Sequence, residues 1–431
     1  MKQSCYFLAF LFSASLLFGQ NFSQADAILQ KNLTVYRNKV CVLVQQQGKP
    51  IYYRSIGGYD SLSIAAVASV SKTFSGVLML ALVDKGLLSL DDTLGKHLPI
   101  FTKYGKGSPT IRQLFSHSSG FPGDETSNFL SSRTMTLEEV ANTVAETVPF
   151  AYQPGTAFAY GGVSMQVAGR IAEVVTGKSW NQAFEEYLGN PLGLSQTSFC
   201  LNSASNPRIA GGVCTSPKDI MLLAELILNR GKFQGKQLIS AAVMEELWKD
   251  QTNKAPQLAS PYPDKPRNNN PYAASTIYYG IGTWQDIYNP TTMYQEQISG
   301  AGAFGTYFWV DRVRGVTGVV FMSSLSAITT PFTFQLVDAI RTALSVSTST
   351  REMVAQERMG IYPNPARGGH LYARTDKKGA ASLVNTKGQI VLRFELSQMN
   401  RGLEVYDLPS GVYFLKSAFG IERVVLLPGG D

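Results

Sequence analysis

The patterning of this 431-residue chain changes abruptly near residue 345. Before that point, apolar residues recur at helical spacing through 73–82, 137–147, 165–176, 220–228 and 332–344. Strand-like runs stand at both ends of the same region, at 39–46 and 51–55 and again at 278–284, 306–310 and 318–323. Helices framed by early and late strands predict an α/β (α+β) unit whose mixed sheet is completed by both ends of the segment, with a helical domain between them. Past residue 345 the helical period stops. Short strand patterns at 381–385, 390–394 and 411–415, separated by Gly and Pro turns, predict a small all-β sandwich. The expected division is a leader at 1–20, a first domain at 21–345, a linker at 346–357 and a second domain at 358–431.

Local signals refine this. Ser23 is expected to cap a short helix over 25–30, and Gly48-Lys49-Pro50 to turn a hairpin. Lys85-Gly86 should end the 73–82 helix. The polar, Pro- and Asn-rich stretch 251–270 reads as a loop or lid. No internal repeat is found.

Hydrophobic residues make up 44% of the chain and charged residues 16%, which suits a large core and excludes disorder over most of the length. The formal charge is +7, but no Lys/Arg run reaches five residues, so nucleic acid is not an expected partner. Met1-Lys2-Gln3, an apolar run over 5–18 and Gly19-Gln20 have the order of a secretory signal peptide. The alternative is a buried N-terminal helix. The run is too short to span a bilayer comfortably, and no later stretch reaches about eighteen apolar residues. Beyond the leader stand Cys41, Cys200 and Cys214. Either Cys200 pairs with Cys214 or all three are buried thiols.

Few common hydrolytic sites fit this chain. Its three histidines, His97, His117 and His370, lack ligand-spaced partners, and no G-x-S-x-G elbow occurs. No metal or organic cofactor is implied. A serine nucleophile here needs a base other than histidine, and Ser69-Val70-Ser71-Lys72 offers one. Three residues apart on a helix, Lys72 can reach the Ser69 hydroxyl. A helix start also favours negative charge, and the Ser69 N–H can help hold an oxyanion. A lysine shielded from water is expected to have its pKa lowered, as a proton acceptor requires.

The residues around this motif resemble the nucleophile segment of class C β-lactamases and their penicillin-binding-protein-like relatives: Ala68-Ser69-Val70-Ser71-Lys72-Thr73-Phe74. Further similar stretches follow in the family's order, at Thr110-Ile111-Arg112, Ser116-His117-Ser118-Ser119-Gly120, Pro154-Gly155-Thr156, Gly211-Gly212-Val213 and Gly302-Ala303-Phe304-Gly305. The resemblance covers about 30–345 and implies a serine hydrolase of that fold. It puts Tyr160 in the place of the catalytic tyrosine, where a neighbouring ammonium should make the phenol more acidic. Whether Lys72 or Tyr160 is the base stays open. His117 is implied to be structural. The N–H groups of Ser69 and Ala303 are implied to form the oxyanion hole.

Two departures stand out. The class C pattern has an asparagine two residues after the tyrosine, where this chain has Gly162. Its third motif carries Lys or His, yet the matching strand, Ile298-Ser299-Gly300-Ala301-Gly302, has no cation. Gly300, Ala301 and Gly302 would let the backbone approach an acyl group, but nothing there attracts a substrate carboxylate. An esterase-like preference is therefore expected over β-lactamase or D-aminopeptidase and cell-wall peptidase activity, unless Lys254, Lys265 or Arg267 supplies the charge. The non-enzyme alternative is an inactive surface scaffold.

The tail, with Pro363-Asn364-Pro365, Gly411-Val412-Tyr413 and Arg423-Val424-Val425, resembles the C-terminal sorting domain of the type IX secretion system. That implies a secreted or cell-surface protein that meets this export machinery, against the alternative of an adhesive β-sandwich.

Overall fold

The computed structural model describes residues 20–261, 278–290, 292–344, 361–362, 366, 369–373, 378–385, 389–417 and 420–427. The expected leader up to residue 19, the linker at 346–357 and Pro363-Asn364-Pro365 lie outside the described residues. The chain divides into two compact units, Met1–Ser345 and Val346–Asp431.

The first unit is organised by a seven-stranded sheet. Its strands are β1 (Val40–Gln46), β2 (Lys49–Ile56), β3 (Tyr278–Tyr279), β4 (Trp284–Asn289), β5 (Tyr294–Ala301), β6 (Tyr307–Asp311) and β7 (Val316–Phe321), in the order β3-β4-β5-β6-β7-β1-β2. Every pairing in it is antiparallel, and β1 joins β7 with Val42 opposite Val320. The early and late strands thus pair in one sheet, with the β1–β2 hairpin at its edge. Gln47 and Gly48 both take positive φ, +50° and +75°, which matches the twist of the β1–β2 hairpin.

Alternation along the strands sends side chains to two separate cores. Val40, Val42 and Val44 pack with Trp309 and Val320 against helices α1 (Ser23–Lys31) and α6 (Ser326–Ala343). Cys41 and Leu43 point the other way, with Phe308, Val310 and Phe321, into the large helical core. That core takes in α2 (Ser71–Asp84), α3 (Leu137–Thr147), α4 (Val163–Thr176) and α5 (Pro217–Leu228). Because both faces are covered, β7 is buried at every position, which explains its nearly unbroken apolar run.

Helix α2 is the pivot. All of Ser71 to Leu82 is buried, and each large apolar side chain among them contributes about 1.5–3 kcal/mol of transfer free energy. It ends as expected: Gly86 takes φ +70° and Leu87 N–H returns to the Leu82 carbonyl at 3.1 Å. Its first turn lies directly on the β3–β4 connection, where a Cβ at Gly282 would sit 2.2 Å from the Lys72 carbonyl oxygen. Thr73 Oγ1 donates to the Gly282 carbonyl at 2.8 Å. This contact splits the single strand expected over 278–284 into two.

Two other expectations are corrected. Ser23 is the first residue of α1 rather than its cap, and the Asn21 side chain accepts its N–H at 2.9 Å. The stretch 251–270 is not all loop: Gln257–Ala259 forms a strand parallel to Phe158–Ala159, and 262–277 lies outside the described residues. Cys200 and Cys214 form a disulfide, while Cys41 is free and buried, its thiol pushed up to about 12 mainly by burial.

In its described parts the second unit is built of β-strands, with one 3-10 turn at Leu396–Asn400. A three-stranded sheet (Ile361–Tyr362, His370–Ala373, Leu403–Glu404) and a four-stranded one (Ile390–Glu395, Ala380–Asn385, Gly411–Ser417, Gly420–Leu426) share one apolar cluster that includes Leu371, Leu383, Leu403 and Leu415.

Candidate active site

Ser69 lies in the 3-10 turn Ala68–Val70 that runs into α2. Ala68 takes φ +47°, a conformation non-glycine residues seldom adopt, and so bends the chain sharply just before the serine. Ser69 is partly exposed between buried neighbours. Ser71, by contrast, is fully buried, donating to the Ala68 carbonyl at 2.5 Å and accepting from Val213 N–H at 2.9 Å. It holds the turn together and cannot meet a substrate.

One helical turn on, Lys72 is completely buried. Its Nζ donates to Ser69 Oγ at 3.1 Å, to Glu125 Oε1 at 2.8 Å and to the Ala210 carbonyl at 3.0 Å. An ammonium has three hydrogens, and these three acceptors lie within 3.1 Å, with the Tyr160 phenol a further neighbour.

Tyr160 closes the other side, with Lys72 Nζ 4.5 Å from its ring centroid. Its strand is fixed by Ala159 N–H to the His117 carbonyl and Tyr160 N–H to the Ala259 carbonyl, both at 2.8 Å. Its ring stacks on Trp284 at 5.2 Å and meets His117 at 4.6 Å. The His117 carbonyl is positioned by the short helix Ile111–Phe115, which opens on a Thr110–Gln113 capping box and ends before His117, at φ +58°. His117 is buried and its ring nitrogens meet no partner among the described residues. Burial, with the Lys72 charge second, holds it well below 6.5 and therefore neutral.

The charge states differ from those the sequence suggests. Burial does press the Lys72 pKa down, but Glu125 and Tyr160 together outweigh it, and the net shift is upward. Tyr160 is also raised, since burial exceeds the lowering by Lys72. The resting site holds an ammonium and a neutral phenol.

Glu125 is the residue that sequence reasoning missed. Its loop is built by Asp124, whose carboxylate accepts from Thr126 N–H at 2.7 Å and from Ser127 N–H at 3.1 Å. The loop sits against Gly161 and Gly162: Gly162 N–H donates to the Asp124 carbonyl at 2.8 Å, and a Cβ at Gly161 would lie 2.5 Å from Asp124 N. A Cβ at Gly162 would lie 2.9 Å from Glu125 Oε2. Arg208 steadies the loop, its Nη2 donating to the Glu125 carbonyl at 2.6 Å and to Oε2 at 3.2 Å. The signal was the Gly161-Gly162 pair itself, which clears space for another segment.

The third-motif strand runs alongside. A Cβ at Gly300 would lie 2.9 Å from Thr73 Oγ1, and one at Gly302 would lie 2.1 Å from the Val67 carbonyl oxygen. Ala301 packs beside the Tyr160 and Trp284 rings. Ala303 is exposed, and its carbonyl accepts from Ser326 N–H at 2.9 Å. Ile298 is buried, and Ser299 Oγ donates to Asp286 at 2.9 Å. Lys254 is exposed, and Lys265 and Arg267 fall outside the described residues. Among the described residues, no cluster of His, Cys, Asp and Glu is arranged to hold a metal.

Comparison with known proteins agrees with this arrangement of elements. The Beta-lactamase family model matches residues 31–331. This chain belongs to the β-lactamase family. Within that family of serine hydrolases, it is 32% identical over 190 residues to Penicillin-binding protein 4 of Amycolatopsis lactamdurans, covering 42% of this chain and 48% of that one. The chain spans less than half the length of the curated relatives it matches first. EstCE1, a hydrolase with promiscuous acyltransferase activity, shares the fold at TM-score 0.60 and 18% identity, covering 74% of this chain and 97% of its own. A family VIII carboxylesterase does so at TM-score 0.58 and 17% identity, covering 75% and 97%. The Secretion system C-terminal sorting domain model matches residues 360–425, so the β-lactamase-family unit is followed by a type IX sorting domain. Such a domain directs export to the cell surface or beyond. Among the described residues, no helix is long and apolar enough to cross a membrane.

Proposed function

We propose that this protein is an exported serine esterase working through an acyl-enzyme on Ser69. The observation that carries the reading is Ser69 Oγ held at 3.1 Å by the buried Lys72 ammonium, at a helix start and beside the Tyr160 phenol. In molecules whose Tyr160 is ionised, Oγ attacks the ester carbonyl carbon and the Ser69 proton passes to that phenolate, which the Lys72 charge stabilises. The N–H groups of Ser69 and Ala303 receive the developing oxyanion. The C–O bond to the leaving group then breaks, the alkoxide takes the proton from Tyr160, and water repeats the sequence to release the acid.

The ester preference rests on charge. β-Lactams and peptides ending in D-alanine carry a carboxylate beside the scissile bond, and burying it without a cation leaves its desolvation uncompensated. The third motif offers Ile298 and Ser299. Arg208 is engaged by Glu125, whose own carboxylate repels a second one.

A fluorescent phosphonate should label Ser69 in the wild type, mapped by mass spectrometry, and Ser69→Ala should lose both labelling and hydrolysis of short-chain p-nitrophenyl esters. Labelling that persists in Ser69→Ala overturns the assignment. On one preparation, kcat/KM for the ester should exceed that for a chromogenic cephalosporin, and the reverse order removes the ester preference. For export, the expected leader at 1–20 delivers the chain to the periplasm and the sorting domain carries it outward. Deletion of residues 358–431 should leave an active hydrolase retained in the periplasm, and normal surface delivery of that truncation would refute the role of the tail.

A further inference from the structure

The carboxylate on Lys72 has no counterpart in the motifs that define the rest of the site. Glu125 comes from a surface loop, its side chain is 34% exposed, and it is anchored twice by Arg208. Its Oε1 reaches the fully buried ammonium at 2.8 Å, and its Oε2 lies where a side chain at position 162 would begin. We propose that Glu125 is a positioning residue for acyl transfer: by pairing with Lys72 in the space left by Gly162, it fixes that side chain as an ammonium aimed at Ser69 and leaves Tyr160 as the base. This rests on the serine-hydrolase reading above.

A buried ammonium without a counterion sheds its proton, because burial penalises only the charged form. The ionisable groups facing Lys72 among the described residues are Glu125, Tyr160 and His117, with Arg208 behind Glu125. His117 is neutral, Arg208 repels, and Tyr160 is a phenol at rest. Glu125 therefore contributes most to keeping Lys72 protonated, with Tyr160 second. With all three hydrogens donated, Lys72 cannot accept the Ser69 proton.

The test reads Lys72 directly. In protein labelled with 15N-lysine, the Lys72 Nζ shift should report an ammonium across the working pH range of the wild type. In Glu125→Gln, which keeps the shape and one acceptor, Lys72 should become an amine at lower pH than in the wild type. The alkaline limb of kcat/KM for the ester should move down with it, with a loss on the order of 10²-fold above that limb. Glu125→Asp, which keeps the charge, should hold Lys72 as an ammonium. Glu125→Ala with Gly162→Asn should regain kcat through a new acceptor while the shifted limb remains, separating position from charge. Circular dichroism confirms that each variant is folded. An unchanged Lys72 titration and pH profile in Glu125→Gln overturns the inference, whereas failure of the wild type to label at Ser69 overturns the hydrolase reading and leaves the titration result standing.

Discussion

The turn that carries Ser69 and the loop that carries Glu125 both end at the Lys72 ammonium, and they reach it by different physics. The first is local: the 3-10 turn running into α2 puts Lys72 Nζ 3.1 Å from Ser69 Oγ, and the burial of α2 holds Lys72. The second is assembled from far away. Glu125 is placed by an Asp124-centred turn, by two glycines after Tyr160 and by an arginine from beyond α4. The helix-borne pair is rigid because its backbone is. The loop-borne carboxylate is fixed only while several separate contacts persist, so it is the more easily altered half of the site.

The largest expected effects fall on the first half. Lys72→Ala and Tyr160→Phe should each lower kcat/KM for the ester by roughly 10²–10⁴-fold, the scale of lost proton-transfer help. Tyr160→Phe should in addition abolish the rise of activity toward alkaline pH, because the raised phenol supplies more of its basic form as pH increases. Wild-type rates in both variants would place the base elsewhere. Smaller effects belong to the loop. Gly161→Val puts a Cβ within 2.5 Å of Asp124 N, a backbone atom, so the loop must retreat with Glu125, for a loss of up to about 10²-fold. Gly162→Ala meets the end of the Glu125 side chain and, at 3.4 Å, Leu130 Cδ1, both side-chain atoms that can shift, and should cost about threefold at most. Equal losses in the two would show that the loop position does not matter.

The same contrast explains what could be read from the sequence. The helices over 137–147 and 165–176, the hairpin at Gly48 and the helix stop at Gly86 were legible, because each depends on neighbours in the chain. So was the Ser69–Lys72 spacing. Glu125 lies 53 residues from Lys72, and Ala210 lies 138 away, so no local pattern could announce either. The pKa directions differ for two reasons: for Lys72 the sequence shows the burial but not the Glu125 counterion, and for Tyr160 it shows the neighbouring ammonium but not the burial that outweighs it. The strand expected over 278–284 failed similarly, since Gly282 turns away to admit the backbone of α2.

The full use of the Lys72 hydrogens bears on the order of events in the proposed cycle. At rest the side chain stands on three legs, Ser69 Oγ, Glu125 and the Ala210 carbonyl. Acylation weakens just one. Once Oγ is an ester oxygen its lone pairs are drawn toward the carbonyl and it accepts poorly, while the other two legs are untouched. The ammonium then turns on two fixed points with one hydrogen to offer, facing the spot where water must arrive. The first half-reaction thus frees the donor that orients the second.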